Sequence, residues 1–339
     1  MDRTEIEREI NRLGPWHHDV EVIEGVRTMR APMAPANPDL RTPTTYRPVD
    51  HFKYVAGSLF PSGFDGRSFL DCACNGGGHT LAAARLGAGR CFAFDAREQW
   101  IEQARFLKKF APHEQIDLAV ATLDDLPALA KSRFDVTFFG GIFYHLPDPI
   151  TGLKIAADLT EEILILNTAA KWAPGKVLAI ERESPDEAMS GVDGLAWLPS
   201  GPEVLRDLLG WCGFPHTRLS FHRPTDEGWS RLEIFAARDA ASFAHFDRVR
   251  KEAKALTGPS KAKGRFSRVA ERLKDRLATR RSVAVPGNML DMLLSAECRA
   301  WTAEHCEHPF EGRQGPDGEI VLLFGRKREA EAFRRRWLG

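Results

Sequence analysis

Phe69-Leu-Asp-Cys-Ala-Cys-Asn-Gly-Gly-Gly-His79, followed after a helix-like run by Cys91-Phe-Ala-Phe-Asp95, is the stretch that decides the fold. It reads as a buried strand, a glycine-rich turn, a helix and a second strand ending in a carboxylate. That order suits a bound nucleoside. Glycines let the backbone approach a ligand closely, a helix N-terminus offers unpaired N–H groups, and an acid one strand later accepts from ribose hydroxyls. Neither G-x-G-x-x-G nor G-x-x-x-x-G-K-[ST] occurs, so the loop is neither the nicotinamide fingerprint nor the phosphate loop. A bare glycine triplet also suits a simple tight turn. Asp95, however, follows Asp71 by 24 residues, the separation of one strand–helix–strand unit that holds a ligand between its strand ends.

Outward from this unit, near-continuous apolar runs mark strands at 68–72, 90–95, 116–121, 134–139 and 161–167, separated by helical or loop segments. Such strands are buried on both faces, and their alternation with helices predicts an α/β, doubly wound parallel sheet. Period-two alternation at 217–222 and 230–237, around Pro224 and Gly228, adds a terminal antiparallel pair, for seven strands in all. Upstream, a helix from near Asp50 carries Phe52, Tyr54, Val55, Leu59 and Phe60 until Pro61 and Gly63 end it, and residues 14–50 are proline-rich. The expected organisation is an N-terminal arm or lid over 1–60, a ligand-binding domain over 61–239, and a basic, mainly helical C-terminal extension over 240–339.

The chain has 339 residues and no formal net charge, yet 13 Lys or Arg against three acids fall between Arg248 and Arg281. The six cysteines, Cys72, Cys74, Cys91, Cys212, Cys298 and Cys306, lie mostly in core-like segments without paired ligand spacing, so reduced thiols in a cytoplasmic protein and no metal are expected. His305-Cys306-Glu307-His308 lacks a second ligand pair. The first ten residues read as a charged amphipathic helix rather than a secretory signal, and no apolar run is long enough for a membrane span.

In a doubly wound sheet the ligand lies beyond the carboxyl ends of the strands, so the residues after each strand are the candidates. After the third strand comes Asp124-Asp125, where Asp124 accepts from an exocyclic amine of adenine or, equally, the acids cap a helix N-terminus. After the fourth comes Gly140-Gly-Ile-Phe-Tyr144-His145-Leu-Pro-Asp148-Pro, a glycine pair leading into titratable groups. His145 has the unperturbed pKa of a general base, and Tyr144 suits positioning an acceptor. A capping or packing role for His145 stands beside that reading. Asp148 before Pro149 marks a turn and is a minor candidate base.

From Asp71 the loop runs Asp71, Ala73, Asn75, Gly77, which resembles the D-x-G-x-G-x-G loop of class I S-adenosylmethionine-dependent methyltransferases with two glycines replaced. Residues 16–237 resemble the family of tRNA wobble-uridine modifying enzymes and natural-product or glycan O-methyltransferases. The similarity is carried by Trp16-His-His18 with Gly25-Val-Arg-Thr28, the 70–77 loop, Gly141-Ile-Phe-Tyr-His145, and Trp197-Leu-Pro-Ser with Trp211-Cys-Gly-Phe214. The resemblance implies a Rossmann-like sheet. It implies S-adenosylmethionine held at Asp71, Ala73, Asn75, Gly77 and Asp95, and a reacting centre bordered by Tyr144 and His145. Trp197 offers a flat face for an acceptor ring or packs beneath the helix at 201–212, and His17 and His18 reach the same pocket if the arm folds over it. The segment Ala31-Pro-Met-Ala-Pro-Ala-Asn-Pro38 has no cation to pair a carboxylated cofactor, which favours ordinary methyl donation.

Beyond residue 240 the sequence reads as charged helices at 247–256 and 265–281, an apolar helix at 290–298 and a strand at 319–324. The basic pair is either a solvated face or an attractor for nucleic acid, although only Phe266 lies among the cations of 265–281. Leu290, Met292, Leu293 and Leu294 suit burial against the catalytic domain or a second copy of the chain. The leading expectation is O-methylation of a hydroxylated small-molecule or glycan-type acceptor. An RNA methyltransferase and a non-catalytic adenosine-ligand module are the alternatives.

Overall fold

In the computed structural model, β3 (Ser68–Cys72) is an interior strand of a seven-stranded sheet, burying Phe69 on one face and Leu70 and Cys72 on the other. The structure describes residues 1–29, 48–184, 186, 189–224, 229–257, 282–285, 296–306, 311–314, 320–324 and 326–338. Two compact units divide after Glu252. In the first, β3 pairs in parallel with β4 (Arg90–Asp95) and β6 (Phe134–Gly140); β4 continues to β5 (Ile116–Val120) and β6 to β7 (Thr160–Lys171). β11 (Trp229–Ala237) joins β7 antiparallel, with β10 (His216–Pro224) at the edge, so the order is β5-β4-β3-β6-β7-β11-β10. This is the doubly wound class that the alternation predicts.

Each face of the sheet has its own core. Phe69, Val136, Phe138 and Phe235 face one cluster; Leu70, Cys72, Phe139, Leu166 and Ile234 face the other. The first is covered by α3 (Gly78–Arg85), α4 (Glu98–Lys108) and α2 (Pro48–Leu59). The second lies under α6 (Pro149–Asp158) and α7 (Pro202–Trp211). Each fully buried Phe contributes about 2–3 kcal/mol of apolar transfer free energy.

The N-terminal residues depart from the expected arm. α1 (Arg3–Leu13) opens on a capping box between Asp2 and Glu5 and buries Ile6, Ile10 and Leu13 in the same cluster as Phe52 and Phe69. Trp16 Nε1 donates to Ile10 O at 2.7 Å, and Gln103 Nε2 on α4 donates to Leu13 O and Pro15 O. A short hairpin, β1 (Glu21–Ile23) and β2 (Val26–Arg27), follows. Regular 3.6-residue spacing of apolar side chains makes this segment core rather than cover. The proline-rich stretch 30–47 lies outside the described residues.

Between β7 and α7 the chain forms an antiparallel hairpin, β8 (Leu178–Arg182) and β9 (Leu195–Pro199), which strand periodicity did not announce. The second unit, expected to be mainly helical, contains a three-stranded sheet. There β12 (Ser282–Val285) and β13 (Glu311–Gln314) flank β14 (Ile320–Leu323), together with α9 (Ala296–His305) and α10 (Lys327–Trp337). Val283, Val285, Cys298, Leu322, Phe324 and Phe333 form its core. Residues 258–281, 286–295, Glu307 and His308 lie outside the described residues, and with them most of the basic run, the apolar leucines and half of the His-Cys-Glu-His motif. Among the described residues no helix is long and apolar enough to cross a membrane.

Candidate active site

The loop after β3 keeps the shape of a glycine loop without its glycines. Ala73 and Asn75, the two replacements, have φ of 53° and 50°, and Gly77 has φ of 74°. All three are left-handed, a region that favours glycine. Asn75 tolerates it through its side chain, whose Oδ1 accepts from Gly76 N at 2.7 Å.

Asp71, at the start of this loop, is buried. Its Oδ2 accepts from Thr80 Oγ1 at 2.6 Å, while Oδ1 has no partner. Burial pushes its carboxyl up to about 7, against the hydrogen bonds from Thr80. Asp95, at the end of β4, accepts from Asn75 N through Oδ2 and from Arg97 N through Oδ1, both at 3.0 Å. Burial raises its pKa and those amides oppose the rise. Asp95 thus ties the loop to β4, Asp71 ties β3 to α3, and one buried oxygen of Asp71 is left without a partner.

His17 and His18 are not on an exposed arm. His18 is buried, and its Nδ1 accepts from Gly78 N at 3.2 Å, capping the first turn of α3; its ring meets His79 edge-on at 4.5 Å. This places His18 behind the loop as a structural partner, which corrects the expectation that it touches an acceptor. His17 is half-buried, and burial, then the nearby Arg231 charge, lower it to about 4. Burial also holds His79 down, at about 3. An unfolded histidine titrates near 6.5, so below that pH the unfolded chain binds a proton that the folded His79 refuses. Stability is therefore intact above about pH 6.5 and lost as pH falls, at about 1.4 kcal/mol per pH unit for this ring. His79→Gln should flatten the acid limb of the unfolding free energy by that slope between about pH 6 and pH 4. A constant offset between variant and wild type would refute it.

Gly140, the last residue of β6, and Gly141 lead into a 3-10 turn, Phe143–His145, that packs against β9. Tyr144 and His145 have ring centroids 3.9 Å apart with their planes tilted by 41°. His145 Nδ1 lies 2.6 Å from Glu183 Oε2, which also accepts from Gly191 N at 2.9 Å. A carboxylate accepts, so Nδ1 carries the imidazole proton and Nε2 is left as the basic nitrogen. Burial foremost, with Arg231 and Arg97 adding to it, lowers the His145 pKa; the Glu183 hydrogen bond opposes this. Arg97 Nη2 donates to Ser190 O at 2.8 Å, tying this loop to the residue whose amide binds Asp95. Asp95 and His145 are therefore linked through Arg97 and the loop at 183–191. Arg231 Nη1 donates to Tyr144 Oη at 3.2 Å and its guanidinium lies over that ring.

Glu183 escaped the sequence reading. It is one of two acids in Glu181-Arg-Glu183, and only the return of the β8–β9 hairpin onto the turn at 143–145 gives it His145 as a partner. Trp197 lies on β9 opposite Ile180, half-buried, with its indole Nε1 buried and unpartnered. Of the acids after β5, Asp125 closes a capping box with Thr122, accepting from its N and Oγ1, and Asp124 is exposed beside it. Asp148 caps α6 by accepting from Thr151 N at 3.0 Å, which holds its pKa low and removes it as a base.

Residues 70–161 match a methyltransferase domain family. The ubiquinone biosynthesis O-methyltransferase of Xanthomonas campestris pv. campestris is 31% identical over 129 residues, which cover 38% of this chain and 52% of that protein. The tRNA U34 carboxymethyltransferase of Campylobacter hominis is 32% identical over 89 residues, covering 26% and 30%. The chain thus spans about half the length, or less, of these curated relatives. Among solved structures, the N-terminal domain of EvdMO1, crystallised with SAH and D-fucose, superposes with a TM-score of 0.55 at 23% identity, over 70% of this chain and 97% of that one. Over residues 70–161 the chain is similar to methyltransferase domains, and the seven-stranded sheet around them has the Rossmann-like fold of the EvdMO1 N-terminal domain.

Proposed function

We propose that this protein transfers a methyl group from S-adenosylmethionine to a hydroxyl oxygen of a small-molecule or glycan-type acceptor, with His145 as the general base. The contact between His145 Nδ1 and Glu183 carries the reading. A base held by an orienting carboxylate, with its other nitrogen unprotonated, is what removing a hydroxyl proton requires. The residues fit the cofactor: left-handed Ala73, Asn75 and Gly77, the orphaned oxygen of Asp71, the carboxylate of Asp95 and the exposed Asp124 would hold it. When bound, S-adenosylmethionine supplies an electrophilic methyl on a sulfonium.

In this reading His145 Nε2 takes the acceptor proton while Glu183 keeps the tautomer and stabilises the imidazolium. Tyr144, backed by Arg231, and Trp197 line the acceptor, and burial of His145 keeps it neutral and ready at neutral pH. The O-methyltransferase relatives, as named, support an oxygen acceptor.

Isothermal titration with S-adenosylmethionine and SAH, followed by labelled-methyl transfer to hydroxylated metabolites and sugars, tests the proposal. Asp95→Ala should weaken SAH binding by about 1.5–3 kcal/mol, the scale of a hydrogen bond to a charged group. Unchanged affinity in the folded variant would remove Asp95 from the cofactor site. The tRNA-modifying relatives and the excess cations at 248–281 favour a second reading, an RNA substrate. RNA binding would fall steeply with added salt, whereas binding of a neutral acceptor would not.

A further inference from the structure

Glu233 is a second carboxylate at the ligand end of the sheet, and no step above uses it. It is fully buried on β11. Its Oε2 accepts from Asn167 Nδ2 at 3.0 Å and lies 3.3 Å from His51 Nε2, while Oε1 has no partner. Two donors converge on one oxygen and none on the other. A buried carboxylate oxygen without a donor is costly, so an arrangement that spends two donors on its twin suits a site completed by a ligand.

Its place in the fold points the same way. Glu233 is the cross-strand partner of Asn167, and Asn167 pairs with Gly140, the last residue of β6, and accepts from Gly141 N at 2.8 Å. The glutamate is therefore level with the turn that presents Tyr144 and His145. Arg231, two residues earlier and on the same face of β11, reaches Tyr144. From β6 to β11 is two strand spacings, roughly 10 Å of backbone, a distance one sugar-sized acceptor spans.

We infer that Glu233, held by His51 and Asn167, receives a second hydroxyl of the acceptor, so that the substrates are polyhydroxylated rings such as sugars rather than lone phenols or alcohols. This rests on the methyl-transfer reading of the same site. The test is ligand-observed NMR with D-fucose, D-galactose and monodeoxy analogues of each, on wild type and on Glu233→Gln, with and without saturating SAH. The arm without SAH tests Glu233 even if the cofactor reading fails. Wild type should bind at least one parent sugar and discriminate against one of its deoxy analogues. Glu233→Gln should lose about tenfold or more of the sugar affinity together with that discrimination, with SAH affinity unchanged. The His51 ring nitrogen resonances should shift when sugar is added to wild type, a readout that needs no variant to fold. Equal sugar affinity in Glu233→Gln, unmoved His51 resonances, or no sugar binding to wild type would overturn the inference.

Discussion

His145→Ala should lower methyl transfer by about 10²–10⁴-fold while SAH affinity holds, because removing a positioned general base affects proton transfer and leaves the nucleoside contacts in place. Glu183→Gln should cause a smaller fall and change the pH profile in a defined direction. The base works when deprotonated, and its pKa already lies below the ordinary histidine value. Wild-type activity should therefore stay level through neutral pH and decline only on the acid side of about 6.5. Glu183 is the group that raises this pKa, so without its charge the acid limb moves to still lower pH while the maximum rate falls. Steady-state kcat profiles of the three proteins check this. A fully active His145→Ala, or an acid limb that does not move in Glu183→Gln, would sink the assignment.

The second large effect concerns the loop. Gly77→Ala should destabilise the protein by about 2–5 kcal/mol. A methyl there would lie 2.7 Å from Ala104 Cβ and 3.1 Å from its Cα, against a helix that cannot withdraw. Overpacking of this kind costs about 1–3 kcal/mol, and a left-handed Ala adds about 1–2. The reverse exchange two turns of the motif earlier should be nearly silent. Ala73→Gly relieves about 1–2 kcal/mol of left-handed strain but forfeits about 0.8 of methyl burial and about 0.5–1 of backbone entropy. The net lies within about 1 kcal/mol of wild type. Denaturant unfolding of both variants decides it, and comparable losses would show that the loop's conformation is not what distinguishes the two positions.

The parallel sheet was legible because strands buried on both faces leave continuous apolar runs, and the observed β3 through β6 begin and end within a residue of those runs. The glycine-loop acids and the tyrosine–histidine turn were legible too, since each directly follows a strand. What stayed hidden depends on partners far away in sequence. Nothing local distinguishes Glu183 from Glu181, or Glu233 from any strand acid, until a hairpin brings His145 to the one and Asn167 and the helix carrying His51 close on the other. The N-terminal helix was legible as a helix but its burial was not: prolines after it made the whole segment look like cover, although Ile6, Ile10 and Leu13 carry core spacing.

That misread segment has a bearing on how the molecule acquires its loop. His18 reaches Gly78 across 60 positions, and Gln103 reaches Leu13 across 90. Contacts so distant in sequence are unfavourable to close until the apolar cluster around them has assembled. The glycine loop, the most local-looking motif in the chain, is then set in place late, when residues 13–18 close over its back.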